Sequence, residues 1–229
     1  MITKDLFTPL GRFRVYAEGT ITRALEAGEW WDDHLKPILD EVEGGCVLDI
    51  GAHFGWFTIY LAQRFGRVIA VEPYPPSFEL LTWNVQRHPG LEHRIQCWPV
   101  AAYDRVEVLS FDTRNDLTDA GSFGFVPGNT HAPGAVRVAG LPLAPYLPPV
   151  PYAPITLIKC DAQGADLRAL RGLHSVIERD RPLIVFEWEE GMAGWHGDTW
   201  QDYLTFFDQL NYTVERITSD YWDYVARPR

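Results

Sequence analysis

Between residues 46 and 102 short apolar runs alternate with amphipathic stretches. "CVLDIGA" (46–52), "RVIAVEP" (67–73) and "HRIQCWPVAA" (93–102) read as strands. "GWFTIYLAQRFG" (55–66), stopped by Gly66, and "PPSFELLTWNVQRH" (75–88) read as the helices between them. The alternation resumes with the strand "ITLIKCDAQG" (155–164) and a helix that carries Leu167, Leu170, Leu173, Val176 and Ile177 on one face. "RPLIVFEWEE" (181–190) is a further strand, and "DTWQDYLTFFDQLN" (198–211) a helix with Asp198 as its expected N-cap. "YTVERI" and "YWDYVARP" close the chain as two strands around a Thr-Ser-Asp turn. Strands separated by helices pair in parallel through crossovers, and a terminal strand pair fits an antiparallel edge. The expected fold is α/β: a doubly wound, Rossmann-like, mostly parallel seven-stranded sheet with an antiparallel C-terminal strand pair.

Two regions depart from this rhythm. "RVEVLSFD" (105–112) alternates with period two, and residues 113–135 after it are rich in Gly, Pro, Asn and Asp. No regular element is expected there, and a loop of that length is usually functional or mobile. Residues 136–154 predict a short strand, a turn and a Pro-rich connector packed on the surface. Residues 112–154 are therefore read as an insertion in a domain spanning 46–229. Residues 1–45 are an N-terminal extension: a hairpin-like piece, "GRFRVYAEG", then a helix over "ALEAGEWWDDHLKPILDEVE". In that helix Trp31, Leu35, Ile38, Leu39 and Val42 recur at helical spacing and Trp30 joins them. Trp30 and Trp31 could form the face of a homodimer.

Composition adds bounds. With 229 residues and 46% hydrophobic content the chain can bury a sizeable core. A formal charge of -11 speaks against broad contact with nucleic-acid phosphates. Cys46, Cys97 and Cys160 have neither metal-ligand nor redox spacing and read as buried free thiols in a reducing compartment. The first nineteen residues contain no apolar signal core, and no run reaches transmembrane length. The expectation is a cytoplasmic protein without nucleic-acid or membrane partners.

The chemistry gathers at two places. In "VLDIGAHFGWFT" a strand delivers Asp49 and turns sharply at Gly51, and the next helix begins near Gly55. Glu72 ends the following strand about twenty residues on, where a carboxylate can accept both hydroxyls of a ribose. The turn lacks the glycine pattern of a dinucleotide site, and Asp49 would repel a pyrophosphate. It would not repel an amino group. The stretch resembles motif I of class I S-adenosylmethionine-dependent methyltransferases, with Glu72 at the ribose position. The bland alternatives are a turn cap for Asp49 and a solvated strand end for Glu72.

The second place is "LIKCDAQGADLRALRG" (157–172), followed by "RPLIVFEWEEG". Together with the first it resembles the FkbM-type methyltransferases over about residues 46–215. Asp49, Gly51, Ala52, Gly55, Glu72, Pro73, Asn84, Lys159, Asp161, Gly164, Ala165, Leu170, Gly172 and Glu187 carry the resemblance. Two positions depart from it: Gln163 stands where the family has Glu, and Asp166 where it has a second Glu.

The resemblance implies a cofactor, S-adenosyl-L-methionine, held by Asp49, Gly51, Ala52, His53, Gly55, Thr58, Glu72, Pro73, Ala101 and Asp161. It implies methyl transfer to a hydroxyl of a small molecule such as a sugar, glycoside or polyketide. Asp161, Lys159 and Glu187 are the candidates for catalysis. Asp161 and Glu187, on neighbouring strand ends, could hold Mg²⁺ through oxygen ligands. Direct base catalysis by Asp161 or a nearby His, and positioning alone, are the other readings. Lys159 shares a strand face with Asp161, so a purely structural ion pair is a full alternative. His131, Trp188 and His196 are candidates for substrate contact; Trp98, Trp188 and Trp195 could shape a pocket or fill a core. A methyltransferase of proteins or RNA, and a cofactor-binding module without turnover, are the competing functions.

Overall fold

The computed structural model describes residues 2–111, 125–126, 136–147 and 154–229. Strands β1 (Thr3–Thr8) and β2 (Gly11–Tyr16) form an antiparallel hairpin. Helix α1 (Thr20–Glu26) and a single turn, α2 (Lys36–Leu39), follow. The continuous helix expected over 24–43 is thus broken. Gly28 and Asp32 have left-handed φ values of 76° and 50°, and Pro37 sits in the first turn of α2. The broken stretch lays Trp30 on Trp56, with ring centroids 4.8 Å apart, and Lys36 lies over the Trp30 ring.

β3 (Cys46–Ile50), α3 (Trp56–Arg64), β4 (Arg67–Val71), α4 (Pro75–Gln86) and β5 (Ile95–Trp98) keep the expected alternation. The strand expected over 93–102 is split. Beyond Pro99, β6 (Ala101–Ala102) enters a second sheet with β7 (Glu107–Phe111), β8 (Phe125–Val126) and β9 (Val136–Leu141), in the order β6-β9-β7-β8. Part of the insertion is therefore sheet, including β8 inside the stretch expected to be irregular. The rest of 112–135, with His131, lies outside the described residues.

β10 (Ile155–Cys160) precedes α5 (Asp166–Arg171) and α6 (His174–Asp180), where one helix was expected. Between them Gly172 meets the second sheet so closely that a Cβ would lie 2.0 Å from the Tyr103 carbonyl oxygen. β11 (Leu183–Glu187), a short α7 (Glu190–Ala193), α8 (Trp200–Gln209), β12 (Tyr212–Arg216) and β13 (Asp223–Pro228) complete the chain. The N-cap of α8 is Thr199, in a capping box with Asp202, and not Asp198. Asp198 is buried and pairs with Arg168 at 2.7 Å and Arg171 at 2.8 Å.

The main sheet has seven strands in the order β12-β13-β11-β10-β3-β4-β5. β13 is antiparallel to both its neighbours, β11 and β12, while the other pairings are parallel. Apolar clusters cover both faces, and side-chain alternation sorts each strand between them. Val47, Val68, Ala70, Leu157, Val185 and Val225 point to the face packed with α3 and the N-terminal hairpin. Leu48, Ile50, Ile69, Val71, Ile158 and Phe186 point to the other. Counting by twos puts Glu72, Asp49, Lys159, Asp161 and Glu187 on the first face, where the parallel strands run out, and Asp223 beside them, where antiparallel β13 begins. No helix among the described residues is long and apolar enough to cross a membrane.

Candidate functional site

The site is built where β3, β4, β10 and β11 end and the antiparallel β13 begins. Crossover connections leave a crevice outside the carboxyl ends of parallel strands, and carboxylates interrupting apolar runs there face that crevice rather than the core. Lys159 is the register partner of Asp49 across β10 and β3, and Asp161 N donates to Ile50 O at 3.1 Å. Gly51 lies directly against this crossing. A Cβ on it would come within 1.8 Å of the Asp161 carbonyl oxygen, and its φ of 76° is left-handed. The glycine is needed for strand-to-strand contact, in addition to any ligand approach.

Asp49 is fully buried. Its Oδ2 accepts a 2.5 Å hydrogen bond from Thr58, and its Oδ1 accepts none from the described residues, with Lys159 Nζ 4.0 Å away. Burial raises the Asp49 pKa, opposed by Lys159 and the Thr58 hydroxyl. Burial would lower the Lys159 pKa, yet Asp161, Asp49 and Asp32 outweigh it and hold the ammonium above the usual lysine range. Glu72 is buried at the end of β4. It accepts 2.8 Å hydrogen bonds from the backbone N–H of His53 and of Tyr74. His53 reaches this position with a left-handed φ of 52°, its ring against Tyr16 of the hairpin.

Burial pushes the Glu72 carboxyl up to about 7, despite the two N–H donors. The unfolded chain titrates it near 4.5. A raised folded value means that the native state holds the proton more tightly. Glu72's contribution to stability is full below 4.5 and is lost as pH rises through about 7, by about 3 kcal/mol in all. Thermal unfolding between about pH 5 and pH 8 is expected to show this falling limb. Glu72→Gln should flatten it; an unchanged slope in the variant would assign the limb to other groups.

Asp161 is the accessible member of the cluster, with 35% of its side chain exposed. Both oxygens are held: Lys159 Nζ lies 3.2 Å from Oδ2, and Gln163 Nε2 donates to Oδ1 at 2.7 Å. The same Gln163 nitrogen donates to Glu187 Oε2 at 3.1 Å. Behind them buried Asp166 accepts from the N–H of Ala162 and of Glu187, both at 3.3 Å, and ties the ends of β10 and β11 together. Burial raises Asp166 to about 7, and raises Glu187 further because Asp161, Asp166 and Asp223 surround it.

The structure gives the magnesium expectation no support. Among the described residues no group of three or more His, Cys, Asp or Glu side chains could hold an ion. The Gln163 amide lies between Asp161 and Glu187, the two carboxylates expected to bind it.

Other expected residues fall in different surroundings. Thr58 and Ala101 are buried, at 0% and 1% exposure, so Thr58 supports Asp49 from behind and Ala101 packs with Tyr74 and Tyr103. Ala52 is also buried, Pro73 half-buried, and Gly55 caps α3 with φ 93°. His196 is buried against Tyr103, whose hydroxyl is 3.4 Å from Nδ1, and burial lowers its pKa to about 4. It is a neutral packing histidine in the wall of the second sheet. Trp188 packs on Trp200 in a tilted arrangement, ring centroids 5.0 Å apart; Trp195 is exposed. All three cysteines are free, and burial pushes the Cys46 and Cys97 thiols up to about 11.

The sequence reading missed a third wall. Asp223, register partner of Glu187, accepts a 2.8 Å bond from His34, whose ring stacks on Tyr221 at 4.0 Å. Asp32 joins them, its carboxyl raised to about 7 by burial and then by Asp161 and Asp223. Its sequence signal was the polar "DDH" interrupting an apolar helical face.

The family described as Methyltransferase FkbM domain matches residues 49–214. Methyltransferase sdnD of Sordaria araneosa is 23% identical over 206 residues, covering 78% of this chain and 80% of that protein. Cyclosporin synthetase simA of Tolypocladium inflatum is 33% identical over 98 residues, which are 42% of this chain and 1% of the synthetase. Among solved structures, methyltransferase FkbM of Methylobacillus flagellatus KT superposes with a TM-score of 0.54 at 18% identity, over 90% of this chain and 59% of that one. SMU.1697c of Streptococcus mutans, solved in complex with SAH, gives 0.52 at 11% identity, over 86% and 99%. At these identities the superpositions speak for the fold.

Proposed function

Because this chain belongs to the FkbM methyltransferase family, we propose that it moves a methyl group from S-adenosyl-L-methionine to a hydroxyl of a small molecule, of the sugar, glycoside or polyketide type. One observation carries the cofactor reading. Buried Asp49 has an oxygen without a hydrogen-bond donor among the described residues, on the same face and edge of the sheet as Glu72. Carboxylates so placed suit a ligand with an ammonium, a sulfonium and a ribose. SAH bound to a neighbour of the same fold supports this.

When bound, the cofactor would supply a methyl on sulfonium for in-line displacement by oxygen, the C–O bond forming as the C–S bond breaks. Gly51, Ala52, His53, Gly55 and Pro73 shape the turn that would hold it, and Glu72 would accept from its ribose hydroxyls. Asp161, oriented by Lys159 and Gln163, accepts the acceptor hydroxyl's proton. Trp188, beside Glu187, lines the acceptor side. The name of the synthetase relative supports a natural-product acceptor. A macromolecular acceptor is the second reading, and the -11 charge weighs against RNA.

Calorimetry tests the cofactor. Purified protein is expected to bind S-adenosylmethionine, and Asp49→Ala or Glu72→Ala to weaken binding by at least roughly tenfold. Silence toward the cofactor in folded wild-type protein would refute the reading. Labelled-methyl transfer to a panel of hydroxylated metabolites identifies the acceptor.

A further inference from the structure

Asp161 and Glu187 end neighbouring parallel strands, about 4.8 Å apart in the pairing direction. Two ionised carboxylates at that spacing repel; burial and the nearby Asp161 relieve part of this by raising the Glu187 pKa, and a cation or a donor between them relieves the rest. Gln163 takes that place. It sits in the corner after β10 with a left-handed φ of 49°, unusual for a residue with a long side chain. The next residue, Gly164, has φ 92° and packs so tightly on Met192 that a Cβ would lie 2.5 Å from its carbonyl carbon. The corner is thereby fixed, and it aims one amide nitrogen at Asp161 Oδ1, 2.7 Å away, and at Glu187 Oε2, 3.1 Å away. The other Asp161 oxygen is held by Lys159 Nζ, itself buried.

We infer that Gln163 is a positioning residue whose amide, together with Lys159, stands in for a divalent cation at the acceptor side of the site, and that the single change Gln163→Glu would turn this corner into a cation site. A divalent ion at this corner would have to displace the Gln163 donor. It would also sit beside a fixed ammonium. Both oppose an oxygen-ligated ion, which gains from added carboxylate charge. A glutamate at 163 keeps the reach of the side chain, removes the donor and supplies a third carboxylate. The inference concerns the site proposed above for methyl transfer, but the geometry on which it stands does not depend on the cofactor.

Mn²⁺ alone is the probe, with its free-ion paramagnetic resonance signal as the readout. Full-length wild-type protein is expected to leave the signal unchanged at millimolar ion. Gln163→Glu is expected to quench it with a Kd on the order of 10⁻⁴ M, at least roughly tenfold tighter than wild type. Adding Asp161→Asn to Gln163→Glu should abolish the gain. Wild-type binding that disappears in Asp161→Asn or Glu187→Gln would overturn the inference. So would a folded Gln163→Glu protein that ignores Mn²⁺. The wild-type arm needs no variant, so poor folding of Gln163→Glu cannot shelter the idea. Calorimetry with S-adenosylhomocysteine on the same samples keeps the two readings apart, because silence there counts against the methyl donor alone.

Discussion

Asp161→Ala should lower methyl transfer by about 10²- to 10⁴-fold, the range for losing a positioned proton acceptor, while S-adenosylhomocysteine affinity stays within about threefold of wild type. Exposure and partners separate the two effects. Glu72 and Asp49, which face the glycine turn after β3, are buried and fixed by their own donors: the His53 and Tyr74 N–H groups for one and Thr58 for the other. Neither needs Asp161 to stay in place. Asp161 is the open carboxylate of the row, held at both oxygens by Lys159 and Gln163. Asp161→Asn is the companion variant, because it keeps the shape and one acceptor and removes the base. Alike losses in both variants would point to charge and basicity. Turnover surviving intact in Asp161→Ala would return Asp161 to a structural role and move attention to His34, the other proton acceptor held by a carboxylate at this edge.

The parallel core was legible because β3, β4, β10 and β11 are covered on both faces and so read as short, largely apolar runs. The corner at 159–163 was legible for the converse reason: Lys159 and Asp161 interrupt such a run at the place where parallel strands meet their ligands. What escaped was set by contacts distant along the chain. His34 and Asp223 are 189 residues apart, and they meet because β13 enters the sheet between β11 and β12. No local periodicity encodes that insertion. The broken helix before residue 40 had two readable cues, Gly28 and Pro37, but the left-handed Asp32 is fixed by its surroundings. Asp198 looked like an N-cap because it precedes a helix, yet its carboxylate is held by two arginines of α5. Gln163 looked like a lost charge; its meaning depended on knowing that one amide nitrogen faces two carboxylates.

Lys159→Met should cost roughly 3 kcal/mol of stability near neutral pH, and the cost should shrink as the pH is lowered. Met has a similar length and packs beside Phe57, over whose ring Lys159 Nζ now lies at 5.0 Å, so cavity formation contributes little. The loss comes from the carboxylates. Asp49 is fully buried, its pKa is already raised by burial, and Lys159 is the first opposing influence. Without that ammonium the folded-state value rises further, away from the 3.8 of the unfolded chain. The native state then binds a proton that the unfolded state releases, so stability is full below 3.8 and falls as pH rises toward the new folded value. Chemical denaturation at about pH 5 and about pH 8 should therefore give a larger deficit at the higher pH. Adding Asp49→Asn should recover part of it, because the orphaned charge is gone. A deficit that is flat with pH and untouched by Asp49→Asn would mean that Lys159 does not neutralise this pair.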